Sequence, residues 1–180
     1  MYCTYYLLRV ISISISSLRH SSSSPRLAMA LVSLKARLNT LLAIMYASGT
    51  LDKQFRRLRS MEEDGSAPPG FVADAVSLFI RDADRILTDI AGLMKQPVVD
   101  VDEVDALVRR LQGSCSSIGA KKLNVSCTYF RRFYEAKCKG CLFALAVLRN
   151  EFYDVRNKFQ TMMHLEQQIE ACSPKLSDNN

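Results

Sequence analysis

From Leu31 onward the apolar side chains return every three or four positions, and no stretch alternates convincingly at the period of two that a half-buried strand requires. Leu31, Leu34, Leu38, Leu41, Leu42 and Met45 share one face of a helix expected to end near Gly49. A second helix is expected over 51–63, with Leu51, Phe55, Leu58 and Met61 on one side, before Asp64, Gly65, Ser66, Pro68, Pro69 and Gly70 break the chain. A third spans 71 to about 94, with Val72, Val76, Phe79, Ile80, Ile86, Leu87 and Ile90 as its stripe, and Pro97 stops it. A fourth opens around Asp102 and turns Val104, Leu107, Val108, Leu111, Cys115 and Ile118 inward until Gly119. Residues 121–137 make a fifth. A long sixth over 141–171 carries Leu142, Leu145, Leu148, Phe152, Val155, Phe159, Met162 and Ile169. Stripes of this kind joined by short loops are buried most economically in an all-α, up-and-down bundle. The expected arrangement is a four-helix core from about Phe71 onward with two additional N-terminal helices packed on it.

The chain has 180 residues, enough for one ordinary domain. With 48% apolar residues, 7 Gly and 5 Pro, it can fill a core. Residues 1–28 stand apart: Ser12, Ser14, Ser16, Ser17 and Ser21 to Ser24, three arginines, no acid, and Pro25 near the end. They read as a disordered or non-native extension, either a transit peptide or the product of an upstream start with Met29 as the working initiator. The domain is then 29–175, with 176–180 a disordered tail. The formal charge of +6 owes half its value to Arg9, Arg19 and Arg26; the remainder has 21 basic against 18 acidic residues. Such a field is too weak, and the aromatics too deeply set in helical stripes, to indicate nucleic-acid binding. Arg9, Lys35 and Arg37 interrupt the most apolar stretches, so no membrane span is expected and the chain reads as soluble. Cys3, Cys115, Cys127, Cys138, Cys141 and Cys172 show no framework spacing and are expected to be reduced.

One segment carries chemistry by its pattern. It reads Arg109-Arg110-Leu111-Gln112-Gly113-Ser114-Cys115-Ser116-Ser117-Ile118-Gly119-Ala120. Positions 109, 112 and 113 share a helix face beside the inward stripe of Leu107 and Leu111, and Gly113 removes a side chain where a partner would approach position 109. The segment resembles the signature of the plant histidine-containing phosphotransfer proteins, where a His is followed three residues later by Lys, then Gly, a Ser-rich stretch and a second Gly. Leu51-Asp52-Lys53-Gln54-Phe55, Phe71-Val72, Ser77-Leu78-Phe79, Asp84-Arg85-Ile86-Leu87, Pro97-Val98-Val99-Asp100, Glu151-Phe152-Tyr153-Asp154-Val155 and Leu165-Glu166-Gln167-Gln168-Ile169 are similar to the same family. The resemblance runs in order over 31–171.

In that family the imidazole attacks a phospho-aspartate and the Lys steadies the phosphoryl charge. Here Arg109 stands at the histidine and Gln112 at the lysine position. A guanidinium has no free lone pair with which to accept a phosphoryl group. The resemblance therefore implies a pseudo-phosphotransfer member without enzymatic activity. Such a member binds the receiver domains of hybrid sensor histidine kinases and response regulators through Arg109, Arg110, Gln112, Gly113, Ser114, Ser116 and Ser117 and obstructs phosphate flow in cytokinin signalling. It implies residence in cytoplasm and nucleus, and no metal, cofactor, small-molecule substrate, nucleic acid or membrane.

Two alternatives stand beside this reading: a working phosphocarrier with an unrecognised acceptor, and a generic helical scaffold. His20 lies in the serine-rich extension, and His164 is followed by Gln167 and Gln168, without charge or opening. Cys138-Lys139-Gly140-Cys141 is a lone C-x-x-C, better read as an interhelical turn than as a zinc or redox site. Asn124-Val125-Ser126 fits a glycosylation acceptor but falls inside a helix. Arg109, Arg110, Lys121, Lys122, Arg131 and Arg132 are read as solvated helix faces that partly border the docking surface.

Overall fold

The computed structural model describes residues 25–135 and 140–173, and every regular element among them is a helix. They are α1 Pro25–Ala47, α2 Lys53–Glu63, α3 Phe71–Leu93, α4 Val101–Ile118, α5 Lys121–Glu135 and α6 Cys141–Cys172. Helix α3 packs on α4, α4 on α5, α5 on α6 and α6 back on α3, closing a ring around the core. Helix α1 lies along α6 alone among the helices, and α2 touches α3 and α4. Phe55 of α2 enters the core beside Phe159 of α6, ring centroids 5.3 Å apart, and Phe79 of α3 meets the same ring edge-on.

Side-chain caps set where the helices begin. The second starts at Lys53 rather than near Leu51, because the Asp52 carboxylate accepts from the Gln54 backbone N–H at 2.8 Å and Leu51 is buried in the preceding turn. Asp100 caps α4 in the same way, accepting from Asp102 and Glu103, so this helix opens one residue ahead of Asp102. Glu62, near the end of α2, accepts from the Gly70 and Val72 N–H groups and caps α3 from outside. Gly119 ends α4 in the left-handed conformation with φ +79°. Its carbonyl accepts from the Asp52 N–H at 3.0 Å, so the start of α2 sits on the end of α4.

Three expectations change. Leu142, placed in the inward stripe of the last helix, is 63% exposed, because the core-facing row there runs through Ala144, Leu145 and Leu148. Helix α1 begins at Pro25, ahead of Met29, a residue type suited to a first turn. Over Leu27–Ala47 it is also long and apolar enough to cross a membrane, because Lys35 and Arg37 are its two charges there. Leu38, Leu42 and Met45 of that stretch are buried in the bundle, whereas Met29, Val32 and Ile44 are exposed. Residues 1–24, 136–139 and 174–180, and with them Cys3, His20, Cys138 and the expected interhelical turn at Cys138, lie outside the described residues.

Candidate functional site

Helix α4 carries the candidate face. Val104, Val108, Leu111, Cys115 and Ile118 are buried on one side, which leaves Arg109, Arg110, Gly113, Ser116 and Ser117 exposed and Gln112 and Ser114 half-buried on the other. The structure brings all seven candidate residues onto this one helix face, and then gives most of their polar atoms partners from within the chain.

Arg109 points toward the start of its helix, where its Nε donates to Asp105 Oδ2 at 2.6 Å. The other Asp105 oxygen, Oδ1, pairs with Arg131 Nε of α5 at 2.8 Å. Arg110 leans the opposite way and reaches Asp82 Oδ1 of α3 at 2.7 Å, an oxygen that Arg85 also contacts at 2.7 Å. The Arg85 hydrogen bond, with the Arg110 charge and a Ser114 hydroxyl behind it, holds the Asp82 carboxyl below its usual range. Each of two adjacent arginines is therefore held by a carboxylate that a second arginine shares.

The Gln112 amide donates to Thr128 Oγ1 of α5 at 3.1 Å. Ser116 and Ser117 donate back to the carbonyls of Gln112 and Gly113 one turn earlier, and Asn124 donates to Ser116. Ser116 and Ser117 thus close on their own helix, while Ser114 turns to Asp82 of α3, and the Asn124 amide is engaged within the fold. At Gly113 a Cβ would meet nothing within 4 Å. Beside it a cavity of about 660 Å³ opens between Leu58, Phe71, Leu78 and Phe79 on one wall and Gly113, Ser114 and Ser117 on the other, with Asp82 and Arg110 at its rim.

The remaining candidates lie elsewhere. His164 is exposed on α6, its Nε2 3.0 Å from the Gln168 amide. Lys122 pairs with Glu151 at 3.0 Å, while Lys121 and Arg132 are exposed. No cluster of three or more His, Cys, Asp or Glu suited to a metal occurs among the described residues. Cys115 and Cys127 are buried and face each other across α4 and α5; a hydrogen bond with Cys127, and burial, push the Cys115 thiol far above its usual pKa. Sequence reasoning missed Asp82, Asp105 and Thr128. Asp105 had a signal, an acid four residues before an arginine on a helix; the other two are brought in by tertiary packing alone.

No protein-family model matches the chain. Among individual proteins, Histidine-containing phosphotransfer protein 2 of Oryza sativa subsp. japonica is 51% identical over 148 residues, covering 82% of this chain and 99% of the relative. A crystal structure of a histidine-containing phosphotransfer protein from maize matches with 55% identity and a TM-score of 0.72, covering 76% of this chain and 99% of that one. Pseudo histidine-containing phosphotransfer protein 6 of Arabidopsis thaliana is 32% identical over 137 residues, covering 75% of this chain and 88% of the relative.

Proposed function

Because the chain belongs to the plant histidine-containing phosphotransfer family, we propose that it is a pseudo-phosphotransfer member, which docks receiver domains in two-component phosphorelay without carrying phosphate. The observation that carries this reading is the state of the two reactive positions. Arg109 is a permanent cation bonded to Asp105, and Gln112 is neutral and bonded to Thr128. Neither supplies a nucleophile or a free ammonium at the helix face. Identity near one half to relatives named without the pseudo prefix is compatible with this, since overall identity follows the scaffold and two substitutions suffice to remove the chemistry.

Gly113 supports docking. A glycine in a helix interior costs about 1 kcal/mol relative to alanine, and nothing among the described residues needs the space it leaves. A partner coming from outside would. The apolar groove next to it, rimmed by Arg110 and Asp82, supplies area for a receiver's helix, and the surrounding cations suit the acidic pocket of a receiver. Within this reading the ring of α3 to α6 is the up-and-down four-helix bundle, α1 and α2 are the additional N-terminal helices, the role is inhibition within cytokinin signalling, and the place of action is cytoplasm and nucleus. The test is incubation with a receiver domain carrying a radiolabelled phospho-aspartate. Complex formation without stable label on this chain is expected. Acid-labile label on the chain would establish a working carrier instead, and neither binding nor label would leave only a scaffold.

A further inference from the structure

Asp105, Arg109 and Gly113 follow one another at intervals of four positions, so the three stand on consecutive turns of one face. Helical side chains lean toward the N-terminus, which turns Arg109 over Asp105 rather than over the opening. Asp105 itself is fixed: one oxygen takes Arg109 and the other takes Arg131 from the neighbouring helix. The two arginines differ in depth, the Arg131 side chain being 30% exposed and that of Arg109 61%. Arg109 makes the shorter, hydrogen-bonded contact, but its greater exposure makes it the half of the triad that a partner reaches, while Arg131 stays as the buried ion pair.

Resting on the receiver-docking reading, we propose that Asp105 is the positioning residue of this face: it holds the Arg109 guanidinium one turn back from Gly113, so that an acidic partner engages Arg109 only by taking it from Asp105. The device lowers affinity and makes it selective. A weakly acidic surface cannot outcompete a carboxylate already in place, whereas a receiver pocket with several clustered carboxylates can. When Arg109 leaves, Asp105 keeps Arg131, so the exchange strands no carboxylate.

The test uses the full chain and the unphosphorylated receiver domain of a plant response regulator, titrated at low and high salt, with melting curves confirming that each variant folds. Asp105→Asn should raise receiver affinity about two- to five-fold at low salt, the range an exposed ion pair controls, and the gain should fade at high salt. Asp105→Glu, which keeps the charge, should behave as the unaltered protein. In an Arg109→Ala background, Asp105→Asn should change nothing. Unaltered affinity of Asp105→Asn at low salt, or a gain that persists without Arg109, overturns the proposal while leaving receiver docking intact. Failure of every variant to bind, where the rice relative binds the same receiver, overturns the docking reading and this proposal with it.

Discussion

Gly113 lies inside α4 and Gly119 just past its end, yet their surroundings are opposite. Around Gly119 the chain is closed: φ is +79°, and a Cβ would stand 2.5 Å from the Phe55 backbone nitrogen and 2.6 Å from the Asp52 carboxylate that caps α2. Around Gly113 it is open, with ordinary helical backbone and nothing within 4 Å. The fold demands the first glycine, whereas nothing among the described residues demands the second. Two glycines in one motif need not share a cause, and the space around each separates a folding requirement from a position that the proposed docking alone would use.

Breaking the closed side should have the largest effect. Gly119→Ala places a side chain in the left-handed region and against backbone that cannot yield, so a loss of about 3 kcal/mol or more is expected, read as a large fall in melting temperature. A variant that melted like the parent would remove the distinction between the two glycines.

On the open side, the scaffold should need only its two reactive groups. Arg109→His with Gln112→Lys is expected to accept phosphate from a phosphorylated receiver, and Arg109→His alone to lag by about 10²-fold, the cost of removing one preorganised charge-stabilising donor. If the double variant binds the receiver yet takes up no acid-labile label, more than those two positions has decayed.

Gly113→Leu should weaken receiver binding by about tenfold, the equivalent of 1.4 kcal/mol, while leaving the melting temperature within a few degrees. Calorimetric titration separates the two, and unchanged affinity would move the docking surface elsewhere. The smallest effect is expected from Gly113→Ala, which should stabilise the fold by roughly 0.5 to 1 kcal/mol through helix propensity alone. Loss of stability there would mean that the open side is packed after all.

Most of the helices were legible because period and breakers agreed: Pro97, Gly119 and the Gly-Pro stretch at 64–70 each fall where a helix ends or a turn begins. The caps were only half legible. Asp102 marked the start of α4 by its charge, but the capping atom belongs to Asp100, and both residues satisfy the same local preference. Leu142 was misjudged because periodicity gives a face and cannot say where a neighbouring helix stops covering it. At the site, Arg109, Gln112 and Gly113 were found because a helix puts them together by arithmetic. Asp82 was not, because it arrives from 28 residues away through the packing of α3 on α4.

Beneath the candidate face lies the thiol pair of Cys115 and Cys127, free, buried and bridging α4 to α5. Because the folded Cys115 thiol resists ionisation, it makes a poor nucleophile until the two helices part. Its alkylation rate is then a clock for the opening of that interface, readable without any introduced label. The same raised pKa tilts stability with pH. Below the ordinary thiol value of about 8.5 the folded and unfolded chains hold this proton alike. Above it the unfolded chain releases the proton and the folded one keeps it, so stability falls as the solution becomes more alkaline. Replacing Cys115 by alanine should flatten that alkaline slope even though it opens a small void, a signature that separates the proton's contribution from the sulfur's packing.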